Sequence, residues 1–147
     1  MHLLRIHVYP TDCDMLGHVN HATMITFLEH ARWAMLEPYM TVHDWLAGGV
    51  WPVVRHVDIG YHAQALPGDD LEVRSGLVAQ GNTSFAVRQA VRRVRDDVLV
   101  ADARITFVCV GRDGEKVKMP DEWRRVIPAW KEGHDDGDDD QGPGGAA

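Results

Sequence analysis

Only one stretch of this chain keeps its apolar residues at helical spacing for more than two turns, and this limits its possible folds more than any other feature. Between Asn20 and Pro38, the residues Met24, Ile25, Leu28, Ala31 and Met35 predict one apolar stripe, with Glu29 and Arg32 off it. Asn20 is a good N-cap, and Pro38 stops the pattern. Elsewhere the chain reads mostly at period two. From Leu3 to Tyr9, Leu4, Ile6 and Val8 alternate with Arg5 and His7. A short helical turn is expected over Val42 to Ala47, and four strand-like runs follow. The first carries Val53, Val57, Ile59 and Tyr61 on one face, interrupted by Arg55; the second carries Leu71, Val73 and Leu77. The third sets Phe85, Val87 and Val91 against Arg88 and Arg92. The fourth places Leu99, Ala101, Ala103, Ile105, Phe107 and Cys109 together.

Turn residues separate these runs: Pro67-Gly68-Asp69-Asp70, Gln80-Gly81-Asn82, Asp96-Asp97 and Arg112-Asp113-Gly114. Connections this short predict an antiparallel meander, because parallel strands need long crossovers. Asp121 to Ile127 predicts a last short helix with acidic residues at its start. The expected class is α+β, one amphipathic helix on one antiparallel sheet. A single helix covers one sheet face, so the other face or an edge is left for a partner, and self-association is expected.

The 147 residues suit one domain, expected over residues 1–132. Residues 133–147 are Gly, Asp and Pro with little to bury, and disorder is expected there. That tail holds five of the 22 acidic residues; the other 17, against 15 Lys and Arg, leave the body at −2 of the total −7. A nearly neutral body offers no cationic surface for nucleic acid. No apolar run approaches the roughly 20 residues of a membrane helix. The N-terminal residues lack the pattern of a secretion signal. Two cysteines, Cys13 and Cys109, make no disulfide framework, and a reducing cytoplasm is the expected location.

Polar chemistry is concentrated in Thr11-Asp12-Cys13-Asp14-Met15-Leu16-Gly17-His18-Val19-Asn20-His21, which feeds the helix. A helix start offers unpaired N–H groups and positive dipole character, able to polarise a carbonyl and hold an oxyanion. Asp14, with Asp12 and His18 nearby, supplies a carboxylate just upstream to attack that carbonyl or activate a water. The same aspartates also read as turn caps, and spacing alone leaves both roles open. No Gly-x-Ser-x-Gly elbow, phosphate loop or dinucleotide-binding fingerprint occurs. His18-x-x-His21 lacks further ligands at a supporting spacing, so neither a metal nor another cofactor is expected. Cys13 would need a base beside it to act as a nucleophile. Arg88, Arg92, Arg93 and Arg95 are either phosphate contacts or a solvated strand face.

The ordered set from Tyr9-Pro10-Thr11-Asp12-Cys13-Asp14 through Phe27-Leu28-Glu29-His30-Ala31-Arg32 strongly resembles the hotdog-fold thioesterases, nearest to the 4-hydroxybenzoyl-CoA thioesterase and related acyl-CoA thioesterases. The resemblance runs over roughly residues 3–127. It includes Asp58-Ile59-Gly60-Tyr61, Gly81-x-x-Ser84, Arg104 to Val110 and Pro120 to Arg124. It implies a long central helix wrapped by a curved antiparallel sheet, dimers joined through their sheets and often paired into tetramers, and active sites at the dimer interface. It implies hydrolysis of an acyl-CoA substrate, with Asp14 as nucleophile or general base and the His21 backbone N–H as oxyanion donor. Asn20 would cap the helix, His18 would orient water or bind substrate, and Asn20, Met24, Ser84 and Tyr61 would line the substrate site. Met24 stands where many relatives have Tyr, and Glu29 is read as a structural hydrogen-bonding residue. The loop is also similar to plant acyl-carrier-protein thioesterases, whose active histidine would fall on His18, but Leu16 stands where that family has Asn. Acyl-carrier-protein thioesterase activity and a non-catalytic acyl-thioester-binding module are the alternatives, with another reaction on an acyl thioester, such as hydration, beside them.

Overall fold

In the computed structural model, which describes residues 1–132, the period-two runs become five strands of one antiparallel sheet. These are β1 (His2–His7), β2 (Trp51–Tyr61), β3 (Asp70–Gln80), β4 (Ser84–Arg93) and β5 (Val98–Val110). The helices are α1 (His21–Leu36), α2 (Val42–Ala47) and α3 (Asp121–Val126). The tail expected to be disordered lies outside the described residues.

The strand order is β1-β3-β4-β5-β2. The meander holds for β3, β4 and β5, but β2 is not the neighbour of β3. It pairs with β5 at the far edge, and residues 62–69 carry the chain back across the end of the sheet. Backbone bonds fix this crossover: His62 N–H donates to Val100 O (2.8 Å), Gly68 N–H to Val8 O (2.8 Å), and Val19 N–H to Ala65 O (2.9 Å). Within it, Asp69 accepts from Leu66 N–H and from Arg95. Burial pushes the Asp69 carboxyl up, but those donors together outweigh it and hold the group below its ordinary value.

Three bulges shift the strand faces. Register slips between Val54 and His56 leave Arg55 unpaired, between Leu77 and Ala79 leave Val78, and opposite Val91/Arg92 leave Val100. Beyond Arg55, Val54 rather than Val53 joins Val57, Ile59 and Tyr61 on the helix-facing side. Beyond Val100, Leu99 leaves the expected apolar face, and Val100 is buried instead. A bulge inserts one residue and inverts the alternation after it, which explains both corrections.

α1 packs on the helix-facing side through Met24, Phe27, Leu28, Ala31 and Met35. Phe27 replaces Ile25 in the expected stripe, and Ile25 is exposed. The helix lies closest to β1 and β3. Toward β2 the gap is filled by aromatic rings: Trp45 of α2 meets Trp123 of α3 at 4.6 Å, and Phe85 stacks on Phe107 at 4.9 Å. Each such buried side chain contributes about 1.5–3 kcal/mol.

Candidate active site

The loop before α1 is built by short-range bonds. Pro10–Asp12 makes a 3-10 turn in which the Asp12 carboxylate accepts from Tyr9 N–H at 2.8 Å, and Asp12 O accepts from Asn20 N–H at 3.1 Å. Asp12 is therefore structural. Cys13 bridges to Val19, closing a small hairpin around Asp14 to His18. In it, Asp14 N–H donates to His18 O (3.1 Å), and Gly17 N–H to Asp14 O (3.0 Å). Gly17 has a φ of +82°, a left-handed position that costs glycine least.

The Asp14 side chain completes the turn with one oxygen only. Oδ1 accepts from Leu16 N–H at 3.0 Å, while Oδ2 makes no hydrogen bond among the described residues. At the hairpin's end Asn20 is the N-cap, its Oδ1 accepting from Ala22 N–H at 2.9 Å and its carbonyl from Met24 N–H at 3.0 Å. The His21 N–H, first in the helix, lies outside the intrahelical ladder. α1 carries no acidic residue in its first turn, so no side chain there offsets the positive end of its dipole. Tyr61, at the end of β2, donates its hydroxyl to His21 O at 2.8 Å and fixes the helix start against the sheet.

Asp14, His18, Asn20, His21 and Tyr61 therefore gather around one helix end. Met24 and Ser84 do not. Met24 is buried in the hydrophobic core rather than lining an open site. Ser84 opens β4 opposite Val108, whereas Tyr61 pairs with Ala101, which in turn faces Val91. The seven-residue offset along β4 is about 23 Å. Glu29, read as a hydrogen-bonding residue, makes no hydrogen bond among the described residues and stands at the rim of a cleft beside Arg32.

Burial pushes the Cys13 thiol up, and the Asp12 and Asp14 carboxylates push it further, which keeps it from being a ready nucleophile. The candidate phosphate arginines are engaged: Arg88 with Asp102, Arg92 with Asp97, Arg93 with Asp96 and Arg95 with Asp69. Among the described residues, no three His, Cys, Asp or Glu side chains converge as metal ligands.

Two features escaped the sequence reading. One is a buried polar cluster beneath α1, in which Gln89 bonds Ser75, Leu28 O and Arg32. Its signal was a glutamine between Val87 and Val91 on the apolar face of a strand. The other is an apolar cleft of about 130 Å³ between the C-terminal half of α1 and the β2 side of the sheet.

The thioesterase-like superfamily model matches residues 8–127. This chain belongs to that superfamily. It has the hotdog fold and is a thioester hydrolase by that membership. It is 34% identical over 108 residues to the long-chain acyl-CoA thioesterase FadM of Escherichia coli strain K12, covering 70% of this chain and 78% of FadM. The crystal structure of YbaW, a probable thioesterase from Escherichia coli, matches with a TM-score of 0.78 at 28% identity, covering 85% of this chain and 98% of that one. Slr0204, a 1,4-dihydroxy-2-naphthoyl-CoA thioesterase from Synechocystis, matches in fold with a TM-score of 0.79 at 21% identity, over 85% and 93% of the two chains.

The cap is the part of the site most open to a direct stability test. Asn20→Ala is expected to cost about 1 kcal/mol in urea denaturation, and Asn20→Asp to retain most of that. An alanine variant as stable as wild type would mean that the Ala22 N–H is as well satisfied by water.

Proposed function

We propose that the chain hydrolyses acyl-CoA thioesters to a free acid and CoA, with Asp14 and the start of α1 as the reacting centre. The observation that carries this reading is the placement of a carboxylate with one free oxygen, Asp14 Oδ2, in the hairpin that ends on an unneutralised helix N-terminus. The similarity to FadM, an acyl-CoA thioesterase, supports the choice of CoA over acyl carrier protein.

In this mechanism the thioester oxygen accepts from the His21 N–H, where the helix dipole stabilises the charge that develops on attack. Asp14 Oδ2 either attacks the carbonyl carbon or removes a proton from the attacking water. If water attacks, the new C–O bond forms, the tetrahedral oxyanion collapses with loss of the C–S bond, and the proton taken from water ends on the CoA sulfur. If Asp14 attacks, CoA leaves as thiolate and takes a proton from solvent, and water then hydrolyses the aspartyl–acyl anhydride to free the acid and Asp14. Tyr61 and Asn20 hold the His21 peptide in position. His18 orients the water or contacts substrate. No bound cofactor enters the scheme.

The oligomer is part of the proposal. β2 is an edge strand that leaves Val53, Val54, Val57 and Tyr61 exposed, a poor edge to leave in water. Two copies pairing antiparallel through β2 would set the Tyr61 end of one strand against the Trp51 end of the other. Ser84, remote from Asp14 within one chain, would then approach the site from the partner. Residues 1–132 form the whole domain in this reading. The two free thiols suit a reducing cytoplasm, and no helix among the described residues is long and apolar enough to cross a membrane.

The test is release of free thiol from a panel of acyl-CoAs, with sedimentation of the same sample. Release by a dimer or larger assembly is expected. Tight binding of every acyl-CoA without release would replace this reading with the non-catalytic module.

A further inference from the structure

The hairpin that carries Asp14 is tied to the rest of the fold at few points. Among the described residues, residues 13–19 make a single hydrogen bond to any segment outside 9–20, from Val19 N–H to Ala65 O at 2.9 Å. Ala65 is a buried residue of the crossover, so the place of its peptide decides where the hairpin sits against the sheet. The peptide groups on both sides of Ala65 are gripped by charged side chains. Leu66 N–H, in the same peptide unit as Ala65 O, donates to Asp69 Oδ2 at 2.9 Å. Gln64 O, on the other side, accepts from Arg93 Nη1. In the 65–66 peptide the N–H thus faces a carboxylate while the O accepts from Val19, an alignment in which each bond polarises and strengthens the next.

The two grips belong to one network. Arg93, the last residue of β4, donates from Nε and Nη2 to Asp96 at 2.9 Å and 2.7 Å, and this fork holds the Asp96 carboxyl below its ordinary value. Arg95 donates to Asp96 Oδ2 at 3.4 Å and to Asp69 Oδ1 at 2.9 Å. The contacts Gln64, Arg93, Asp96, Arg95, Asp69 and Leu66 therefore close around Ala65. A second observation concerns the register of Arg93. It pairs with Leu71 and follows Val87, Gln89 and Val91 on the helix-facing side of β4, and all four of those residues are buried. Partly exposed ion pairs contribute little to stability, and an apolar side chain suits such a register at least as well, so stability alone does not account for this arginine.

We infer that Arg93 is a positioning residue for the reacting centre: through Gln64 O, with Asp96, Arg95 and Asp69 completing the clasp, it holds the Ala65 peptide that sets the Asp14 hairpin against the His21 N–H. The inference rests on the reacting centre proposed above and adds a residue remote from the substrate. His21 is fixed separately by Tyr61, so a looser Ala65 lets the carboxylate move relative to the oxyanion donor. A displacement of about 1 Å is enough to slow a positioned reaction about 100-fold.

The experiment measures kcat and KM for thiol release from an acyl-CoA by the full chain as wild type, Arg93→Met and Arg93→Lys, below the unfolding temperature of each. Amide hydrogen exchange is read on the same samples at Val19 and along β4 and β5. Arg93→Met keeps an apolar stem and removes the donors. It is expected to lower kcat about 10- to 100-fold with KM within about twofold of wild type, because none of the clasp residues touches substrate. Exchange at Val19 should quicken while β4 and β5 keep their protection. Arg93→Lys retains one charged donor for Gln64 O and should recover part of kcat. A loss confined to KM, an unchanged kcat or unchanged exchange at Val19 overturns the inference. Faster exchange spread evenly over β4 and β5 in both variants marks a role in stability alone and overturns it too. Asp14→Asn, run in parallel, separates the two readings. If it is as active as wild type, the reacting centre is wrong; if it is inactive beside a fully active Arg93→Met, only the positioning role fails.

Discussion

Asp14→Asn is expected to slow thiol release by about 10²–10⁴-fold with the fold and oligomer size unchanged. The substitution is nearly isosteric, and the amide oxygen can still accept from Leu16 N–H as Oδ1 does at 3.0 Å. The hairpin closed by Cys13 and Val19 has no other use for the Asp14 side chain among the described residues, so its geometry should persist. What the amide cannot do is attack a thioester carbonyl or take a proton from water. The His21 N–H and the helix dipole remain, which explains why the expected loss is not total. Steady-state thiol release, with circular dichroism and sedimentation as controls, reads the outcome directly. A variant within a few-fold of wild type would keep the enzyme and remove Asp14 from its mechanism.

The loop before α1 and its bonding were readable in the sequence because their parts are neighbours in the chain. Asp12, Asp14, Asn20 and the start of α1 lie within ten residues, and turns and caps depend on local bonding. The helix was readable for the same reason, although exchanging Ile25 for Phe27 shows that periodicity alone sets a stripe's angle only to within one residue. The strands were found, but their faces were not always right. Arg55, Val78 and Val100 are extra residues only relative to a partner strand, and pairing is a non-local fact. Strand order was lost for the same reason: nothing in Trp51–Tyr61 says that it pairs with the last strand rather than the next. Ser84 and Met24 entered by resemblance, which gives a position in a family but no distance within one chain. The cleft draws on α1, α2, β2, β4 and β5, so no single segment carries its signature.

Gln89→Leu is expected to destabilise the chain by about 2–4 kcal/mol, although it places an apolar residue of similar size in an apolar layer. Gln89 is fully buried on the helix-facing side of β4. Its Nε2 donates to Ser75 Oγ at 2.8 Å and Leu28 O at 2.9 Å, and its Oε1 accepts from Arg32 at 2.9 Å. The three bonds tie α1 to β3 and β4 at one point. Leucine would leave little cavity, so the transfer term should be small and the loss chiefly polar. Leu28 O keeps its place in the helix ladder, but the fully buried Ser75 hydroxyl and the half-buried Arg32 guanidinium each lose a partner. The expected cost is larger for Arg32, because its charge cannot be given up at ordinary pH. Ser75→Ala alone removes one neutral bond and should cost about 1 kcal/mol. The double variant should cost less than the sum, since Gln89→Leu has already left the serine unpaired. Urea denaturation of the three variants measures each quantity. A Gln89→Leu protein within about 0.5 kcal/mol of wild type would mean that water reaches Arg32 freely. The guanidinium would then be held by solvent at the cleft rather than by the polar cluster beneath the helix.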